Sequence, residues 1–240
     1  MTSDRVGNQT VAGDLPSSGL SPRESTMAVF DLDGTLVRGD TLLPFLMSFA
    51  WKRRRILPVL GTPAALALWK CRLLSDQKAK ETLLRWFCGE VPLDEINAHA
   101  RWFCRTWVRP RLKPPVTERL EFHRAAGHRL ILLSASPDIY VREIGGDLGF
   151  PEVICTRTGG IDGRCTGRIE NFNCKGAEKL RLIQELCVRD GRPRAIFAYG
   201  DSRSDLPLLE WVESGFLVRG RKLTPVERIV QGSAVDHPSN

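Results

Sequence analysis

The 240-residue chain has no apolar run of the eighteen or so residues that a bilayer-spanning helix needs, so a membrane crossing is excluded as a reading. The longest candidate, ILPVLGTPAALALW at 56–69, is shorter and carries Gly61 between Pro58 and Pro63. Residues 1–26, rich in Ser, Gly, Pro and Thr, lack the apolar stretch of a secretory signal and read as a flexible tail, as does the C-terminal segment 226–240. The seven cysteines, Cys71, Cys88, Cys104, Cys155, Cys165, Cys174 and Cys187, form no Cys-x-x-Cys pair. That argues against a zinc site and a disulfide framework and for a reducing compartment, the cytoplasm.

Hydrophobic residues make up 42% of the chain, enough for one large domain or for a core carrying an insert. The net charge of +7 is unevenly spread. Residues 38–118 hold 15 Lys and Arg against 7 Asp and Glu; the remainder, 20 against 21, is nearly neutral. A basic segment of this kind suits phosphates, nucleic acid or an anionic membrane surface, or is a solvated helix face.

Apolar runs bounded by turn residues at 27–30 (MAVF), 130–133 (LILL), 195–199 (AIFAY) and 216–218 (FLV) read as buried strands. Helical patterns lie between them. Ser136 with Pro137 behind it predicts a helix start, with Gly145 or Gly149 at its end. Another helix is expected from about Gly176 to Val188, with Leu180, Ile183 and Leu186 on one side. Alternating strands and helices imply an α/β fold, a Rossmann-like parallel sheet. The segment 38–118 instead shows helical periodicity, with Ala79, Leu83, Trp86 and Phe87 before Gly89. Ile96, Ala100, Phe103 and Trp107 come next, on a helix capped by Asp94. Its tryptophans, Trp51, Trp69, Trp86, Trp102 and Trp107, are expected to pack a bundle. The expected organisation is a discontinuous core, 27–37 and 119–225, interrupted after its first strand by an all-helical cap at 38–118. An Asp-Gly turn in TGGIDGRCTGRIE, 158–170, predicts a small hairpin.

The residues behind the strands carry the chemistry. Asp31, Asp33, Gly34 and Thr35 come after MAVF; Ser134 and Ala135 after LILL; Gly200, Asp201, Ser202 and Asp205 after AIFAY. In an open parallel sheet these positions gather at one edge, where ligands bind. Converging carboxylates repel one another, so the pattern makes sense around Mg²⁺ held by oxygen ligands. A lysine is at hand in Lys175 or Lys179. Apolar residues one, four and seven places after Lys179 seat its helix on the sheet, which favours it over Lys175.

AVFDLDGTL, LILLSAS, a lysine at 175 or 179 and AYGDSRSDLPLL resemble, in order and context, the four motifs of the haloacid dehalogenase superfamily. The resemblance spans 27–220. A helical insert directly after the first motif resembles the branch containing phosphoserine phosphatase. FDLDGTLVRGDTLLPFL with DGRCTGRIENFNCKGAEK resembles bacterial phosphatases of that branch, either those acting on phosphatidylglycerophosphate or general phosphatases. The resemblance implies a phosphomonoester phosphatase, with Asp31 as nucleophile and Asp33 protonating the leaving alcohol and then activating water. It implies Mg²⁺ on the Asp31 carboxylate, the Asp33 backbone oxygen and Asp201, with Ser134 and a lysine bonding the phosphoryl group. Asp205 would hold that lysine or the metal's waters.

Other chemistries leave more unexplained. A glycosyltransferase Asp-x-Asp has no use for Ser134 or GDSRSD, and a receiver domain carries no large helical insert. Cys-x₅-Arg and Arg-His-Gly, the nucleophile motifs of cysteine and histidine phosphatases, are absent. His99, His123, His128 and His237 read as surface or packing residues. A different class of function is an inactive core whose basic insert, WKRRR included, binds membranes or nucleic acid. For the enzyme the expected partner is a phosphorylated small molecule or a lipid phosphate, with peripheral association to an anionic membrane at its cytoplasmic face and no nucleic acid. Arg38 and Asp40 are pocket candidates by position, and TLLPFL after them departs from the polar groups that phosphoserine would require.

Overall fold

In the computed structural model residues 25–54, 56–170 and 172–228 are described, so most of both expected tails lies outside the described residues. The chain runs from β1 (Thr26–Phe30) into four helices, α1 (Leu42–Lys52), α2 (Ile56–Lys70), α3 (Asp76–Cys88) and α4 (Leu93–Phe103), then α5 (Pro114–Ala125). Next come β2 (Arg129–Pro137), α6 (Asp138–Asp147) and β3 (Glu152–Thr156), then the hairpin β4 (Thr158–Ile161) and β5 (Arg164–Ile169). α7 (Ala177–Asp190), β6 (Ala195–Gly200), α8 (Leu206–Trp211), β7 (Ser214–Arg219) and β8 (Lys222–Val226) complete it.

The main sheet has the order β3-β2-β1-β6-β7-β8, parallel except for the last pair. β1 is therefore the place where the chain, having built outward through β2 and β3, returns to build on the other side. Such a switch point opens a crevice at the carboxyl ends of the strands. Period-two alternation sorts the strand residues between the two faces. Met27, Val29, Ile131 and Leu133 join Ile183, Leu186 and Leu209 of α7 and α8 in one apolar cluster. Ala28, Phe30 and Leu132 belong to a second cluster that continues into the cap through Phe45, Phe49 and Phe103. Tyr140 of α6 is the joint: its ring stacks on Phe45 at 4.5 Å and its hydroxyl meets Thr41 Oγ1 at 3.0 Å.

Several expectations need correction. Ser136 does not cap a helix; β2 runs on to Pro137, because the Ser136 hydroxyl is taken by Asp33 and its N–H by Ser134 Oγ. The end of α6 needs none: of the two glycines expected to close it, the helix passes through Gly145 and stops just before Gly149, whose φ of 73° turns the chain out. α4 starts at Leu93 after Pro92, leaving Asp94 in the first turn, where its charge suits the helix dipole. α5 begins at Pro114 and packs on β2. Trp51, Trp69, Trp86 and Trp102 are exposed instead of packing a bundle interior, and Trp107 is half-buried, stacked on Phe103. The hairpin stands where the Asp-Gly turn puts it, with Asp162 and Gly163 both at positive φ. His99 and His123 are buried, His123 against the Tyr199 hydroxyl at 2.9 Å; His237 lies outside the described residues.

Candidate active site

The crevice at the end of β1 is built from a tight loop. Asp31 still donates its N–H to Tyr199 O of β6 at 3.0 Å, which holds the loop root in the sheet. Gly34 then takes φ of 74° and donates to Gly39 O at 3.0 Å. A Cβ at Gly34 would stand 1.9 Å from Asp201 Oδ2, so glycine is what lets the β1 loop and the β6 loop approach so closely. Gly200 has the same function beneath Asp205, whose Cβ lies 2.5 Å from where its own would be.

Lys179, in the first turn of α7, is almost fully buried and donates from Nζ to Asp31 Oδ1 and Asp205 Oδ1, both at 2.7 Å. Burial opposes its charge, but the two carboxylates outweigh that and raise its pKa. The carboxylates respond differently. Burial raises Asp31, with Lys179 and a 2.8 Å bond from Thr35 Oγ1 offsetting only part of it. Asp205 is also buried, yet Lys179 and the Ser202 N–H and hydroxyl bring it below the usual carboxylate value. Asp201 has no hydrogen-bond donor among the described residues, and burial with Asp31 and Asp205 beside it pushes it up to about 6.

One oxygen each of Asp31, Asp201 and Asp205 lies within 4.8 Å of the others. An all-oxygen set with an unpartnered carboxylate fits a small hard cation. Asp31 and Asp201 belong to the expected ligand set, while the Asp33 side chain points elsewhere. Its oxygens accept from Thr41 N at 2.7 Å and Ser136 Oγ at 2.5 Å; burial and then Asp40 push it up to about 6.

A cavity of about 610 Å³ opens over these groups and is lined by Asp31, Asp33, Lys179, Asp201, Ser202 and Asp205. Ala135 is also in its wall. Ser134 is fully buried just behind, its Oγ accepting from Ser136 N at 3.0 Å. Asp40 lines the cavity, but Arg38 is exposed and does not. Lys175 sits at the rim, bonded to Asp76 of α3 at 2.5 Å and away from Asp31. The far wall is apolar, made by Leu42, Leu43, Pro44, Leu66 and Trp69 of α1 and α2.

Four polar groups at the site are not among the expected site residues. Ser136 shares the face of Ser134 at the strand period of two, a signal that was present. Lys80 of α3 reaches across the cavity to Ala135 O at 2.6 Å and Asn173 Oδ1 at 2.7 Å, and burial lowers it to about 8. Lys113, buried at the return from the cap, donates to Gly34 O. Lys80 and Lys113 stand behind no strand and Asn173 only behind β5, outside the main sheet, so nothing in the local pattern singled them out.

A family model described as haloacid dehalogenase-like hydrolase matches residues 28–210. Protein CicA of Caulobacter vibrioides is 31% identical over 83% of this chain and 88% of its own length. A probable phosphatase of Mycobacterium tuberculosis is 28% identical over 89% of this chain and 76% of its own. Among solved structures, a probable phosphoserine phosphatase from Vibrio cholerae shares the fold, with a TM-score of 0.60 at 12% identity, covering 79% of this chain and 54% of that one.

Proposed function

The chain belongs to the haloacid dehalogenase-like hydrolases, and we propose that it is a Mg²⁺-dependent phosphomonoester phosphatase that works through an aspartyl-phosphate on Asp31. The supporting observation is the buried Lys179 bridge between Asp31 and Asp205 with Asp201 beside them, at the carboxyl ends of β1 and β6. In this reading an Asp31 oxygen bonds to phosphorus as the ester P–O bond breaks, and Asp33 gives its proton to the departing alkoxide. Water then attacks phosphorus, Asp33 takes a proton from it, and the Asp31–phosphorus linkage breaks to release inorganic phosphate. A pKa of about 6 suits Asp33 to both transfers near neutral pH. Thr35 and Lys179 fix the Asp31 carboxylate for in-line approach, and the Ser134 hydroxyl with the Lys179 ammonium meets charge on the phosphoryl oxygens. Asp31, Asp201 and the Asp33 backbone oxygen would hold Mg²⁺, with Asp205 adjacent; the cation supplies the positive charge that lets a carboxylate approach a phosphate.

The apolar far wall favours an ester with an apolar body, a lipid phosphate such as phosphatidylglycerophosphate. Phosphoserine is the second reading, favoured by Asp40 and Lys80 in the same cavity, one for an ammonium and one for a carboxylate. Hydrolysis of an aryl phosphate with Mg²⁺, abolished by chelator, tests the reaction. A screen of phosphoserine, sugar phosphates and phosphatidylglycerophosphate in detergent then tests the substrate, and preference for phosphoserine would reject the lipid.

Asp201 must be ionised to hold a cation, so protons compete below its pKa of about 6. Mg²⁺ affinity measured by titration calorimetry should be steady above pH 7 and weaken by about tenfold per pH unit below 6; an affinity unchanged down to pH 5 contradicts the assignment. Gly34→Ala sets a side chain against Asp201 in a left-handed conformation that costs about 1–2 kcal/mol. We expect a melting temperature lower by about 5 °C and turnover reduced about 100-fold, and turnover at the parent rate would show that this approach is not needed.

A further inference from the structure

α2 is built inside out. Residues 56–69 include no charged side chain, and among the described residues of the helix Thr62 and Ala65 are buried and Pro58, Gly61 and Leu66 half-buried, with Gly61 fitted against the Trp86 ring. Its larger side chains face solvent: Leu57 is 82% exposed and Leu60 69%, with Trp51 before the helix at 85% and Leu73 after it at 71%. Seven of the thirteen exposed large apolar side chains among the described residues fall between 51 and 73. A patch of that kind on a water-soluble surface marks an interaction site. Cations bracket it: Lys52 and Arg54 at one end, Lys70 and Arg72 at the other, all exposed and none in an ion pair among the described residues.

We propose that α2 and its flanks dock on an anionic bilayer surface, with the helix lying along the interface. Its fifteen residues span about 22 Å, short of the roughly 30 Å hydrocarbon core, and no described helix is long and apolar enough to cross a membrane. Apolar side chains entering the headgroup region between basic flanks is how interfacial helices bind. A second copy of the chain is a poorer occupant, because face-to-face pairing would bring eight unpaired cations together. The docking has a consequence that rests on the phosphatase reading: half-buried Leu66 and the exposed Trp69 also line the catalytic cavity, so a lipid phosphate reaches Asp31 along the docked helix.

Vesicle co-sedimentation with the full chain tests this. Binding is expected to phosphatidylcholine vesicles containing phosphatidylglycerol, about tenfold tighter than to phosphatidylcholine alone and weakened by salt. L57E/L60E, two residues outside the cavity, should lose about tenfold or more in vesicle binding, hydrolyse aryl phosphate at the parent rate, and lose hydrolysis of phosphatidic acid held in the vesicles. Parent protein that ignores both vesicle types, or a variant that binds as the parent does, overturns the proposal. So does a parent dimer by light scattering that the variant dissolves without any vesicle binding. An inactive parent that still binds anionic vesicles through Leu57 and Leu60 overturns the phosphatase reading alone and leaves the docking surface standing.

Discussion

Asp31→Asn is expected to lower turnover of an aryl phosphate by about four orders of magnitude or more while leaving a folded protein. The amide matches the carboxylate in shape, so the 2.7 Å contact with Lys179 survives through its carbonyl oxygen and Thr35 keeps a partner. What disappears is the anion that attacks phosphorus. An amide at this position also removes one charge from the cluster with Asp201 and Asp205, so Mg²⁺ affinity falls too. Saturating Mg²⁺ separates the two effects: a variant whose rate recovers at high Mg²⁺ has lost only metal, whereas the nucleophile account requires it to stay inactive. Because burial raises the pKa of Asp31, the substitution removes a charge that is costly to bury, and the melting temperature should change little.

Lys179→Met is expected to damage both stability and activity. The lysine is buried between two carboxylates, and removing one partner of such a group leaves the others uncompensated, a loss of roughly 3–5 kcal/mol. For a chain of this size that is a fall on the order of 10 °C in melting temperature. Turnover should drop about 10²–10³-fold with the loss of a charge aimed at the phosphoryl oxygens. The pH dependence has a definite sign. With Lys179 present the Asp205 pKa is lowered on folding, so its stabilising contribution is lost as the pH falls through that pKa. Without the lysine, Asp31 and Asp205 bind protons more readily folded than unfolded, so the variant should gain stability as the pH falls from 7 toward 5. Chemical denaturation at pH 7 and 5 measures this. Adding Asp205→Asn to Lys179→Met should return part of the loss at pH 7, since it removes one of the two stranded charges; no recovery would place the cost elsewhere than in the carboxylates.

The parallel sheet and its working edge were legible because buried strands write unbroken apolar runs, and the residues just beyond each run are delivered to the same edge. Asp31, Asp33, Ser134, Asp201 and Asp205 could be read one strand at a time. Lys179 could be chosen over Lys175 because an apolar face behind a residue fixes which way its helix is seated. Residues whose position depends on packing between distant elements were not legible. Lys80 meets Asn173 and Ala135 only because α3 folds over the sheet. Ser136 is ambiguous in sequence, since a serine before proline reads equally as a helix cap and as the next inward residue of a strand; Asp33, 103 residues away, decides it. The exposed tryptophans have the same origin. Periodicity puts Trp86 and Trp102 on helices, but apolar content alone does not say which face is covered, and α2 shows apolar residues left uncovered altogether.

A covalent phosphate on Asp31 is the most direct consequence of this account. Reacting the protein with substrate and Mg²⁺, quenching in acid and reducing with borohydride converts an aspartyl-phosphate to homoserine, which peptide mass spectrometry locates. Modification at residue 31, dependent on substrate and missing in Asp31→Asn, is the predicted result. Modification of another side chain, or sustained turnover with residue 31 untouched at every quench time, would contradict it.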